Sequence, residues 1–407
     1  MTTKIEKKFQ YKKCILSFTR FFCAPLLCIF LFSACVKREN VNPDQSAVND
    51  VKNEETAAKI EPFRVLSAEI ADSLDSRLLA AQVLICGIDG RGALPPHIKE
   101  LLAEFPAGGV MLFRYNLDSE NEGIANLVDD TVSLVKEKSG VPPFIAVDHE
   151  GGVVNRFRRG TAALPAAYSY WEFFLSDGKQ AALEKIEADS LRAGREINSL
   201  GINLNFAPVA EYLTSANRAF LASRSYGPDP LFTAEAAAAF VSGMEQAGVL
   251  CVIKHFPGSA GPDPHYSASS LNLDKTALDS LVYPFASLFK NGAGAVMIAH
   301  TAVPAIDSEI SSLSPAVMGN WLRGELGFNG LIISDDFSMA AAGGKSPEEA
   351  AVLSITAGAD MVLVWQPDIR RTHRALVSAL EDGRLSRERL REAASRVIHE
   401  KLKMGLM

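Results

Sequence analysis

Eight short apolar runs alternating with longer amphipathic stretches constrain this chain more than any other feature. They cover 83–88, 109–113, 144–147, 202–206, 250–253, 295–298, 331–333 and 361–364. A strand that is apolar at nearly every position must have both faces covered, which is the signature of a buried parallel sheet. Eight such strands, each followed by a helix, predict an α/β fold: a closed (β/α)8 barrel of the TIM type, as a single domain. An open doubly wound sheet is the alternative. Helices are expected over 121–138, 181–200, 230–247 and 346–357, and a basic amphipathic helix over 387–403 closes the chain.

In such a barrel the loops after the strands converge on one pocket at the C-terminal face. The residues at these ends are rich in ionisable groups. The second run ends in Phe113-Arg114 with Asn116 beyond, and the third in Asp148-His149-Glu150-Gly151-Gly152. The fourth ends in Ala207-Pro208, the fifth in Lys254-His255-Phe256-Pro257-Gly258, the sixth in His300 and the seventh in Ser334-Asp335-Asp336. Four of the seven histidines (149, 255, 265, 300) fall in these segments. Gathering so many polar groups at strand ends costs desolvation, so a functional pocket is expected there.

Each group has a chemical and a plain reading. Asp335 can be a nucleophile, a metal ligand or a helix cap. Of the pair Asp335-Asp336, one carboxylate is expected to face the pocket and the other to make structural hydrogen bonds. Lys254 and His255 can bind sugar hydroxyls, and Lys254 can also form a Schiff base or pair with a neighbouring acid. Asp148 can accept from substrate hydroxyls or pair with Lys254 or Arg224. In the loop 259–270 (SAGPDPHYSASS) Asp263 stands two residues before His265. A carboxylate beside an imidazole orients it for acid–base work, although a turn Asp with a surface His gives the same pattern. The Gly87-x-x-Gly90-x-Gly92 stretch has the wrong spacing for a nucleotide fingerprint and reads as a turn.

The N-terminus has a different character. Lys4, Lys7, Lys8, Lys12, Lys13 and Arg20 precede the run FFCAPLLCIFLF, which is too short to span a bilayer comfortably. Ser33-Ala34-Cys35 follows. This resembles a bacterial lipoprotein signal, which implies lipidation at Cys35 and removal of the residues before it. An ordinary cleaved signal or an uncleaved anchor is the alternative. Residues 1–35 are thus expected to be a signal segment, 36–62 a flexible polar tether, and 63–407 the barrel. The expected location is the cell envelope, held to a membrane by lipid. Beyond the signal only Cys86 and Cys251 remain of six cysteines. Both sit in apolar runs and read as buried free thiols. The net charge of −7 offers no basic face for nucleic acid. A monomer is expected.

Six segments together carry a resemblance: VDHEGGVVNRF, GINLNFAPV, SRSYG, KHFPG, MIAHTAVPAID and GLIISDDFSM. The chain resembles glycoside hydrolase family 3, in its single-barrel β-N-acetylglucosaminidase branch, from about Val83 to the C-terminus. The resemblance implies Asp335 as nucleophile of a retaining mechanism through a covalent glycosyl-enzyme. It implies Asp148, Arg224, Lys254 and His255 as binders of sugar hydroxyls. It implies His265 as acid/base, held by Asp263, with no cofactor and no metal. Three departures stand out. The loop before Asp263 reads Ser-Ala-Gly-Pro where the branch usually has His-Gly-Asp-Thr, and it is two residues shorter. His149 replaces the usual Gln, and Val153 the usual Arg, which is expected to alter substrate contacts.

The leading expectation is a retaining exo-β-N-acetylglucosaminidase acting on peptidoglycan-derived or chitin-type oligosaccharides. A family 3 β-glucosidase or a phosphorylase is a close variant. A non-catalytic glycan-binding lipoprotein is the second reading, separated by whether an aryl N-acetylglucosaminide turns over. A metal-dependent hydrolase using His149, His255, His300 and Asp335 is the third, and these residues lack close ligand spacing.

Overall fold

The computed structural model describes residues 62–117, 120–157, 161–261, 263–339 and 344–407. The expected signal segment, Cys35 and nearly all of the tether lie outside the described residues. Among the described residues no helix is long and apolar enough to cross a membrane. The first element is a helix over 62–73.

Each apolar run becomes a strand. They are β1 Leu84–Gly87, β2 Gly109–Leu112, β3 Phe144–Val147, β4 Leu204–Asn205, β5 Leu250–Phe256, β6 Ala295–Ile298, β7 Leu331–Ser334 and β8 Val362–Val364. All neighbours are parallel and follow chain order, with β8 returning to β1. The ring closes between β7 and β8 through a parallel bridge of Ile333 to Met361, the Ser334 N–H donating to the Met361 carbonyl at 3.0 Å. This is a (β/α)8 barrel, as the run pattern predicts. The helices Asn121–Ser139, Lys179–Asn198, Pro230–Gln246, Pro347–Ala357 and Arg387–Lys403 fall where the amphipathic stretches place them.

Side-chain alternation sorts the strands' apolar residues into two cores. Leu84, Cys86, Val110, Leu112, Ile145, Val147, Cys251 and Ile253 face the helix layer. Ile85, Met111, Phe144, Ala146, Leu250, Val252, Met297 and Ile333 fill the barrel interior. Continuous apolar runs are needed because both sets are buried. Cys86 and Cys251 are buried free thiols, and burial pushes Cys86 up to about 12.

Two strands depart from their expected lengths. β4 pairs over only two residues, and contact with β5 resumes at the parallel bridge of Val209 to Lys254. Asparagine side chains complete the seam: Asn203 Oδ1 accepts from Ile145 N at 2.9 Å and Asn205 Oδ1 from His149 N at 3.0 Å. β5 runs on to Phe256, with its register to β6 slipping between Ile253 and Phe256. Such an irregularity re-aims side chains, and here both Lys254 and His255 reach one cavity.

The opposite mouth of the barrel is closed by the C-terminal helix, whose Val397, with Met404 and Leu406 after it, packs on the interior core. Lys401 is fully buried there. Its Nζ donates to Gln82 Oε1 at 3.0 Å and lies 5.1 Å from the Phe144 ring centroid. Burial pushes the Lys401 ammonium down to about 7. The unfolded chain holds that proton up to the ordinary lysine range, about 10.4. Between these values the unfolded state binds more protons, so stability rises with pH through this window and is lost as pH falls through 7. Lys401→Met is therefore expected to melt above the wild type at pH 7, with the gap closing toward about pH 10. Thermal melts across this range check it, and a gap that does not change with pH would count against it.

Candidate active site

One cavity of about 470 Å³ opens at the C-terminal ends of the strands. Asp148, Arg224, Lys254, His255, His265 and Asp335 all border it. Asp263 does not border it but holds His265. The structure thus brings all of the catalytic and sugar-binding candidates among the described residues, except Asp263, to one cavity.

One wall is an ion-pair chain. Lys254 Nζ, at the end of β5, sits between two carboxylates, 2.5 Å from Asp148 and 2.6 Å from Glu150. Arg224 makes a two-pronged contact with Glu150, from Nε at 2.9 Å and Nη2 at 2.8 Å. Arg156 donates to the other oxygen of Asp148. Both open possibilities for Asp148 are narrowed by this: it pairs with Lys254 and Arg156, while Arg224 pairs with Glu150. Burial by itself raises the Asp148 carboxyl, but Lys254 and Arg156, with Arg224 further off, hold it well below the usual range. Glu150 is likewise raised by burial and brought down below its ordinary value by Lys254 and Arg224. Both stay ionised at neutral pH and fix the cations between them. Charge pairs locked this way present their remaining donors and acceptors to a ligand without rearrangement.

The glycines after Glu150 are required. Gly151 and Gly152 have φ of 94° and 53°, and a Cβ on Gly151 would sit 2.4 Å from the Pro165 carbonyl oxygen. The tight turn they allow returns the chain so that Glu150 reaches back under Lys254.

At the end of β7, Asp335 is half-buried, and its Oδ1 accepts from the Asp336 N–H at 2.9 Å. Asp336 takes the structural part. Its carboxylate accepts from Ser338 N at 2.9 Å, from Ser338 Oγ at 2.8 Å and from the Trp365 indole N–H. Trp365 in turn stacks on Phe113, ring centroids 4.6 Å apart. These two rings give the cavity an apolar wall facing the charged one.

His265 lies on the loop after β5, with its side chain 59% exposed. Its Nδ1–H donates to Asp263 Oδ1 at 2.6 Å, and the same oxygen accepts the His265 backbone N–H at 2.9 Å. Burial raises the Asp263 carboxyl, but these two bonds and the imidazole's charge, with Arg224, together bring it below its ordinary value. With Nδ1 committed to Asp263, Nε2 is the nitrogen left for chemistry at the cavity. The loop's far end, Ser269–Ser270, joins a small sheet with Thr301–Val303 and Asp307–Ile310, which seats the shortened loop against the sixth barrel unit.

His149 is structural, and His300, which borders the cavity, has both ring nitrogens taken up by bracing contacts. His149 does not line the cavity, against the expectation that it alters substrate contacts: it is fully buried, its Nε2–H donating to the Ala162 carbonyl at 2.7 Å. Val153 is also absent from the lining and is 71% exposed. His300 is buried, with Nδ1 2.7 Å from Ser312 Oγ and Nε2 donating to the Asp336 carbonyl at 3.0 Å. Burial lowers both imidazoles below their ordinary value. His300 therefore braces the turn that carries Asp335. Among the described residues no three His, Cys, Asp or Glu side chains gather as a metal site.

Four contributors were not singled out from the sequence: Glu150, Arg156, Glu211 and Trp365. A signal was present for Glu150 and Trp365, which lie within three residues of a strand's C-terminal end, while Glu211 and Arg156 lie further along the loops after β4 and β3. What was missing was direction. Nothing local says that Glu211, three residues past Pro208, turns inward to meet His255 Nδ1 at 2.7 Å.

Comparison with known proteins agrees with this geometry. The description "Glycosyl hydrolase family 3 N terminal domain" matches residues 78–399. A β-hexosaminidase of Stenotrophomonas maltophilia (strain K279a) is 35% identical over 294 residues, covering 70% of this chain and 84% of its own. A solved family 3 β-N-acetylglucosaminidase from Paenibacillus sp. str. FPU-7 superposes with a TM-score of 0.76 at 30% identity, over 82% of this chain and 63% of that one. Native NagZ from Neisseria gonorrhoeae superposes with a TM-score of 0.67 at 30% identity, over 78% of this chain and 89% of its own. The barrel, the pocket at its C-terminal face and these matches converge: the chain belongs to glycosyl hydrolase family 3 and is a glycoside hydrolase.

Proposed function

We propose that this protein is a retaining exo-β-N-acetylglucosaminidase, with Asp335 as nucleophile and His265 as acid/base. The observation that carries the reading is that Asp335 and His265 border one cavity together with Asp148, Lys254 and Arg224, which Glu150 ties to one another from outside the lining. Hydroxyls of the terminal sugar bind to Asp148, Arg224, Lys254 and His255. Asp335 attacks the anomeric carbon while the His265 Nε2–H gives its proton to the leaving oxygen. The bond from the anomeric carbon to that oxygen breaks as the bond to Asp335 forms. His265, now neutral, then takes a proton from a water that attacks the anomeric carbon on the face the leaving group vacated, opposite Asp335; the bond to Asp335 breaks as the bond to water forms, so two inversions retain the configuration. The names of a β-hexosaminidase and a family 3 β-N-acetylglucosaminidase among the relatives, and a NagZ structure in complex with N-trifluoroacetyl-D-glucosamine, support N-acetylglucosamine as the sugar.

The natural substrate in this reading is a peptidoglycan-derived or chitin-type oligosaccharide. The N-terminal pattern ending at Cys35 supports a lipid-anchored envelope protein that meets such fragments outside the cytoplasm. Incorporation of a labelled fatty acid by the wild type but not by Cys35→Ala is the expected result for the anchor.

The discriminating assay compares aryl β-N-acetylglucosaminide with aryl β-glucoside. The expected outcome is a kcat/KM at least about 10²-fold higher for the N-acetyl sugar, a difference of the size that a matched polar substituent gives. Equal rates would remove the sugar assignment. Binding of N-acetylglucosamine without any release of the aryl group would instead make the protein a glycan binder.

A further inference from the structure

Glu211 is buried just past β4, outside the groups assigned above, yet it has four contacts in one carboxylate. Oε1 meets His255 Nδ1 at 2.7 Å, His255 N at 3.3 Å and Ser259 Oγ at 3.2 Å. Oε2 accepts the Ser259 N–H at 2.5 Å. His255 is a sugar-binding group in the proposed reaction. Ser259 is the first residue of the loop that carries His265. One carboxylate therefore joins the floor of the site to the root of its acid/base loop.

The other side of His255 completes the argument. Its Nε2 faces Arg224 Nη2 at 3.4 Å. A guanidinium has only donors, so the nitrogen facing it presents a lone pair. An ionised carboxylate only accepts, so Nδ1 carries the proton. His255 borders the cavity, and a sugar hydroxyl that takes the place of the long Arg224 contact donates to that one lone pair, which gives nothing to an acceptor.

On the proposed function given above, we infer that Glu211 is a positioning residue that fixes His255 in its Nδ1–H tautomer, making His255 the acceptor of a sugar hydroxyl, and that ties the loop bearing His265 to the same point. Sugar that engages His255 and a loop placed for proton transfer then share one anchor. Glu211→Gln keeps the size of the side chain but turns one acceptor oxygen into an NH2, which opposes a donor at either Ser259 or His255.

The test uses the full chain with aryl β-N-acetylglucosaminides of graded leaving-group acidity. Glu211→Gln is expected to raise KM about tenfold, the worth of one charge-assisted hydrogen bond. It is also expected to lower kcat more for poor than for activated leaving groups. The KM effect should vanish in a His255→Ala background, as for two residues acting through one contact. A uniform fall in kcat for all leaving groups with unchanged KM would overturn the inference, because it reports only fewer folded molecules. Nitrogen-15 NMR of the wild-type imidazole provides a readout that needs no variant: an Nδ1–H signal for His255 supports the assignment and an Nε2–H signal overturns it. A wild type inactive on every aryl N-acetylglucosaminide would instead refute the proposed function itself.

Discussion

Asp335→Ala is expected to lower kcat for an aryl β-N-acetylglucosaminide by at least about 10³-fold, because it deletes the group that forms the covalent intermediate. The loss should sit in kcat, not in KM. The hydroxyl-binding wall is built from Asp148, Glu150, Lys254 and Arg224, which pair with one another and not with Asp335. Folding should be nearly unchanged, since the Asp335 side chain contributes one hydrogen bond, from the Asp336 N–H. The turn keeps its other supports, the Asp336 contacts to Ser338 and the His300 brace. A 5-fluoro sugar analogue, which slows breakdown of the intermediate, is expected to add one sugar mass to the wild type and none to the variant. Equal rates for the two proteins would end the role assigned to Asp335.

The second large effect concerns proton delivery. His265→Ala should cost about 10²–10⁴-fold on a substrate with a basic leaving group, such as a second sugar, and far less on an activated aryl group that departs unaided. A graded series of leaving groups separates this from misfolding, which would lower all rates alike. The structure gives the reason for expecting reach. Although the loop is shortened, it is held at Ser259 by Glu211 and at Ser269–Ser270 by the small sheet, and His265 borders the same cavity as Asp335. Asp263→Ala should shift rates in the same direction but less. It frees the ring to rotate and removes the Nδ1 partner without removing the proton carrier. A His265 variant that keeps full activity on the poor leaving group would exclude it as the acid.

Much of the architecture was legible in the sequence because it depends on short-range order. A run apolar at every position has both faces buried, and eight of them separated by amphipathic stretches leave few closed arrangements. The polar residues at run ends must then meet at one face, which places Asp148, Lys254, His255 and Asp335 around a common pocket. The Asp263-x-His265 spacing in the loop after the fifth run added the acid/base candidate, and the family segment SRSYG added Arg224 as a sugar binder. The same reasoning misplaced His149, since a histidine at a strand end looks alike whether it turns into the pocket or, as here, under the loop to the Ala162 carbonyl.

Local residue patterns set the barrel, the face that carries the chemistry and the candidates on it. Tertiary structure alone decided which candidate pairs with which. Lys254 meets Asp148 across 106 residues, Arg224 meets Glu150 across 74, and Glu211 meets His255 across 44. No local pattern encodes such pairs. They follow from strand tilt, from the register slip within β5 and from the glycine turn after Glu150, and in a buried site those angles determine whether a charge is paired, left as an acceptor for sugar, or left free to move a proton.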